Sequence, residues 1–184
     1  FNREVLPRAE AKYGSVGIPR ALNMYENYPF WHSLFTTLGY HVELSAPSNK
    51  KTYEAGIESM PSESVCYPAK LSHGHIMDLL ERDIDFIWMP CARWERSEDE
   101  TANNHYNCPI VMSYSEALKL NVDELRDSDI DFLNPFLPYH DKEALKLRLY
   151  EQLSVKRREQ LAARGVQVAK SLFPSREEIN DAVE

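Results

Sequence analysis

Apolar residues in this chain fall into two kinds of pattern, short continuous runs and stripes spaced three and four apart, and the two alternate. The first run, Ser15-Val16-Gly17-Ile18, predicts a strand stopped by Pro19. Tyr28-Pro29 then opens a helix, with Pro29 suited to its first turn. Its stripe is Phe30, Leu34 and Leu38, flanked by Trp31 and Phe35, and Gly39 closes it. A second strand is predicted at 41–44, and Ser48 is placed to cap a short helix over 49–57. The loop 61–68 feeds a helix over 68–82, with Leu71, Ile76, Leu79 and Leu80 on its apolar face. Residues 85–89 form a third strand, ended by Pro90-Cys91. The stretch 92–107 is polar, acidic and without period, and reads as a mobile loop before a fourth strand, Ile110-Val111-Met112.

Past about residue 120 the pattern becomes helical. Two helices are predicted at 141–153 and 155–172, and a third starts at Pro174-Ser175. There Ser175 is the cap and Glu178 stands at the capping-box position. Strands alternating with helices predict an α/β fold: an open, mainly parallel, doubly wound sheet of the Rossmann or flavodoxin kind over residues 1–120. A helical C-terminal segment, 121–184, packs on it. Right-handed crossovers bring the loops after the first and third strands to one edge, and ligands in such sheets bind beyond the carboxyl ends of the strands. Function is therefore expected at 19–28 and 90–94. Cys108, preceding its predicted strand, is expected at the opposite edge unless the long loop carries it round.

Composition narrows the function. The chain has 184 residues and a net charge of −8, with Lys156-Arg157-Arg158 its sole basic cluster. That triplet reads as a solvated helix face, and nucleic-acid binding, which needs a positive surface, is not expected. No apolar run approaches the roughly 20 residues of a membrane span, and residues 1–10 lack the pattern of a secretory signal. Three cysteines, Cys66, Cys91 and Cys108, are too few and too odd in number for a disulfide framework. A reducing, cytoplasmic setting follows as the expectation. Starting at Phe1 and ending in helical sequence at Glu184, the chain reads as a piece of a larger protein.

The thiols carry the candidate chemistry. Cys66 stands at the mouth of a helix, where unpaired amides attract negative charge, and Cys91 directly follows a strand at the ligand-binding edge. Thiolates suit iron–sulfur clusters and zinc. The spacings, 25 and 17 residues, match no compact Cys-x-x-Cys signature, so buried structural thiols remain an open reading. Lys70, one turn after Cys66, can supply positive charge beside it or simply lie on the surface. Arg20, after the first strand, can hold a phosphate or carboxylate, or pair with Glu26. His73 and His75, at i and i+2, face different sides of a helix and are poorly placed for one ion. Glycine-rich phosphate loops and Gly-x-Ser-x-Gly are absent from the sequence.

Several segments together resemble a known family: GIPRALNMYENYPFW at 17–31, PSESVCYPAK at 61–70, HGHIMD at 73–78, Asp85-Phe86-Ile87, Pro90-Cys91 and Asn107-Cys108-Pro109. The set is similar to the uncharacterised domain of CoA-substrate-specific enzyme activases, the activators of 2-hydroxyglutaryl-CoA dehydratase. The resemblance implies a part in ATP-driven, low-potential electron transfer, with an ATPase (activase) domain, in the same or a partner chain, as partner. It also implies an acyl-CoA-type substrate or dehydratase-like subunit, and a [4Fe–4S] or double-cubane cluster in the intact protein. Cys66 and Cys91 match the ligand-bearing motifs best and Cys108 is a third. The ATPase part and a second ligand-bearing domain lie outside this sequence, so an isolated domain is expected to hold the cluster incompletely or not at all, and to be inactive alone. A docking domain with metal-free cysteines, and a structural zinc site needing four ligands, are the rival readings.

Overall fold

The computed structural model describes residues 3–97 and 99–184. Its centre is a four-stranded, all-parallel sheet in the order β2-β1-β3-β4. Strand β1 is Ser15–Ile18 and β2 is His41–Leu44; β3 is Phe86–Trp88 and β4 is Asp131–Leu133. Every residue of β1 and β3 is buried, as expected for parallel strands covered on both faces. The sequence order reverses between β1 and β3, so the crevice at their carboxyl ends is the topological switch point. This is the doubly wound α/β fold the alternating pattern predicts.

Helix α1, Met24–Leu38, crosses from β1 to β2. Its buried stripe, Met24, Tyr28, Trp31, Phe35 and Leu38, begins more than a turn before Pro29, which therefore sits inside the helix and not in its first turn. Packing decides the start: Trp31 meets Trp88 with ring centroids 5.2 Å apart, and Phe35 meets Phe86 at 6.1 Å. Full burial of each such side chain is worth roughly 1.5–3 kcal/mol. Asn49, not Ser48, caps α2, Lys50–Ala55, because its side chain accepts from the Lys51 and Thr52 amides and Thr52 returns the bond. Helix α3, Tyr67–Leu80, leads into β3 and packs tightly on α2. The approach is close enough that a Cβ on Gly74 would overlap the Thr52 carbonyl oxygen.

Two expectations fail beyond β3. Ile110-Val111-Met112 is not a strand; it lies in the first turns of α4, Pro109–Asn121. Cys108 is its cap and Pro109 its first residue, and the buried positions Tyr114, Ser115 and Leu118 follow helical spacing. The short helix α5, Asp123–Asp127, follows, and the fourth strand is β4, drawn from the stretch expected to be helical. Nor do the described residues of 92–107 wander. Glu95 donates its amide to the His105 carbonyl, Asn107 donates to that of Arg93, and Trp94 packs on Tyr106.

The C-terminal part is otherwise helical. Helix α6, Lys142–Tyr150, runs through a π-helical turn at Glu151–Lys156 into α7, Arg157–Ala163. The helix expected to reach 172 stops there, and Gly165 takes the left-handed conformation that turns the chain. Helix α8, Arg176–Val183, starts with the predicted capping box of Ser175 and Glu178. It packs on α1 and α6, so α1 and the C-terminal helices cover one face of the sheet while α3, α4 and α5 cover the other. Among the described residues no helix is long and apolar enough to cross a membrane.

Candidate functional site

Two helices and one strand present the three cysteines. Cys91 follows β3 by three residues and continues its pairing, with its amide donating to the Pro135 carbonyl at 2.9 Å and its carbonyl accepting from Leu137 at 3.1 Å. Cys66 and Cys108 cap α3 and α4 with nearly the same backbone geometry, φ −63° and ψ 151° or 153°, each just ahead of a helix-opening proline. Because α3 and α4 run antiparallel to the strands they feed, their N-termini come to the carboxyl edge of the sheet. Cys108 thus lies on the same rim as Cys66 and Cys91, not on the opposite edge. Asn107 holds it there: its side-chain amide donates to the Ala92 carbonyl at 3.0 Å and to Glu95 at 2.9 Å.

The three thiols differ in setting. Cys66 and Cys108 are exposed, and Cys91 is fully buried. The Cys91 sulfur lies 2.9 Å from the Ser115 hydroxyl on α4. Burial pushes its thiol up, and Ser115 only partly offsets this, so Cys91 is a protonated, packed thiol in this arrangement. The Cys108 sulfur accepts weakly from the Val111 amide at 3.5 Å. Next to Ser115, the Tyr114 hydroxyl meets His73 Nε2 at 2.9 Å, bridging α4 to α3. Burial raises the Tyr114 hydroxyl, and the nearby Cys66 adds to this. Sequence reading missed both Tyr114 and Ser115, because residues 110–112 carry no period that separates strand from helix; the Cys-Pro start was the available signal.

Each cysteine also has an exposed aromatic residue as a near neighbour along the chain or as its pairing partner across the sheet edge. Tyr67 follows Cys66, Tyr106 precedes Cys108 by two residues, and Phe136 pairs with Cys91 across the edge.

The remaining predicted residues sit around this rim. The Arg20 amide donates to Ser45 Oγ at 2.8 Å and its Nε to the Ser45 carbonyl at 2.7 Å, tying the loops after β1 and β2 together. Lys70 lies one turn into α3, its amide bonded to the Cys66 carbonyl at 3.1 Å. His73 and His75 point to separate hydroxyl partners: Ser59 and Tyr114 for the first, Ser45 and Ser48 for the second. They do not converge, as their spacing implies.

The donor type suits an iron–sulfur centre, but the count and closeness do not complete one. Among the described residues no group of three or more His, Cys, Asp or Glu gathers to hold a metal ion. Comparison with curated proteins and with solved structures returned no match. The sequence profile of the family described as the CoA enzyme activase uncharacterised domain matches residues 15–183. The doubly wound sheet with its thiol rim therefore belongs to the CoA enzyme activase uncharacterised domain family.

Proposed function

We propose that in the intact protein this domain contributes Cys66, Cys91 and Cys108 to an iron–sulfur cluster, of [4Fe–4S] or double-cubane type. It does so in an ATP-driven system that passes low-potential electrons to an acyl-CoA-type substrate or dehydratase-like partner in the reducing cytoplasm. The observation that carries the reading is that Cys66, Cys91 and Cys108, 25 and 17 residues apart, all stand at the carboxyl edge of one sheet. A cluster takes about four thiolate ligands, so the remaining ligand comes from the activase part or a partner chain. The exposed aromatic residues Tyr67, Tyr106 and Phe136 at this edge support a covered, water-excluded rim in that assembly. When bound, the cluster supplies the one-electron chemistry; the domain's residues fix its surroundings through Ser115, Tyr114 and His73.

A second reading, a docking domain with reduced and metal-free cysteines, is favoured by the Cys91 packing against Ser115 and by the exposed Tyr67, Tyr106 and Phe136 at this edge. One experiment separates the two. The full-length protein is reconstituted anaerobically with iron and sulfide, and bound iron, acid-labile sulfide and absorbance are measured for it and for Cys66→Ser, Cys91→Ser and Cys108→Ser. The cluster reading expects a brown protein whose iron falls in each variant. An unchanged chromophore in the triple variant, or none in the parent, with partner capture intact, leaves the docking reading.

A further inference from the structure

A recess of about 440 Å³ lies at the other end of the sheet, where the chain enters β1 and the C-terminal segment folds back. Its lining is largely apolar: Phe173 and Pro174 are buried there, and Tyr150 and Val155 line it beside them. The π-helical turn makes this wall. In a regular helix Tyr150, Ser154 and Arg158 would share one side; the wider turn at Glu151–Lys156 brings Val155 into it as well. Ser154 then anchors the returning strand of chain, its hydroxyl donating to the Pro174 carbonyl at 2.5 Å.

Cationic groups collect at this recess although the chain carries a charge of −8. Lys12 has a carboxylate of its own: Glu178 lies 2.6 Å from its ammonium, and the Tyr13 hydroxyl donates to the same group at 2.8 Å. Arg158 and Lys170 differ, since among the described residues neither forms an ion pair. The basic triplet noted in the sequence is thus divided by the fold. Lys156 is solvated, Arg157 is buried over the Phe86 ring at 4.2 Å, and Arg158 borders the recess.

We propose that this recess binds a ligand of the nucleotide class. Two cations without an acidic partner select an anion, and guanidinium geometry suits phosphate oxygens. The apolar walls call for a flat, weakly polar body beside that anion, which a nucleobase provides and a free phosphate does not. The volume is in the range of small-molecule sites. Phosphate would sit between Arg158 and Lys170, with the base against Tyr150, Val155 and Phe173. At the amino edge of the sheet, the occupant cannot touch the cysteine rim; it acts as an effector or a tether.

Calorimetric titration of the protein with ADP, adenosine and inorganic phosphate tests this. ADP is expected to saturate, with adenosine and phosphate each at least about tenfold weaker. Arg158→Gln and Lys170→Gln should each weaken ADP about tenfold, and added salt should weaken it further. Ser171→Trp, which fills the recess without changing charge, should abolish binding while the thermal midpoint holds. Absence of saturation at about 10 mM ADP, phosphate binding as tight as ADP, or undiminished ADP binding by Arg158→Gln and Ser171→Trp would overturn the assignment.

Discussion

His73 and His75 stand two positions apart on α3, both fully buried, with only hydroxyls at their ring nitrogens. Burial lowers both from 6.5 to about 4. The folded state keeps them neutral, while an unfolded chain binds their protons below about pH 6.5. Their contribution to stability is therefore whole above pH 6.5 and declines as pH falls toward 4, by about 1.4 kcal/mol per pH unit for each. Urea unfolding across that window should report an uptake near two protons. Glu178, held near pKa 2 chiefly by its bond to Lys12, loses its share only below its ordinary 4.5, so the two effects separate. A flat profile from pH 6.5 to 4.5 would mean that the imidazoles are charged or solvated in the fold. The i, i+2 spacing already placed these histidines poorly for one ion. Their true partners were hidden, since Ser45, Ser48, Ser59 and Tyr114 come from other elements and a hydroxyl carries no pattern of its own.

Among the elements, the ones with strong local chemistry were legible and the shortest were not. The Ser175 and Glu178 capping box at α8 and the glycine that closes α1 are fixed by neighbours within four residues. By contrast, Ile110-Val111-Met112 and Asp131-Phe132-Leu133 are both brief apolar segments, and only tertiary context makes the first helix and the second strand. The error mattered, because it left the long loop as the one route by which Cys108 could reach the rim. Helix pairing offers a sharper test. Gly74→Ala places a methyl against the backbone of α2, which cannot yield as a side chain tip would. A loss of about 3 kcal/mol or more in denaturant unfolding is expected. Gly165→Ala, with open space at the Cβ position but φ of +80°, should cost only about 1 kcal/mol. Equal losses at the two sites would mean that α2 and α3 are not in contact.

At the scale of the whole molecule, strand order does what no single motif could. Cysteines scattered through the sequence come to the same edge of the sheet because every strand is parallel and each returning helix starts there. Burial then sets them apart, and a chemical consequence follows. An alkylating reagent such as iodoacetamide should modify Cys66 and Cys108 in the native protein within its ordinary reaction time, adding two adducts by mass spectrometry. Cys91, sealed between β3 and α4, can react only when the sheet and that helix part, so the third adduct should appear at the rate of that opening. One sulfur thereby becomes a clock for the fold: its labelling half-life counts how often the core comes undone, with no probe added to the chain.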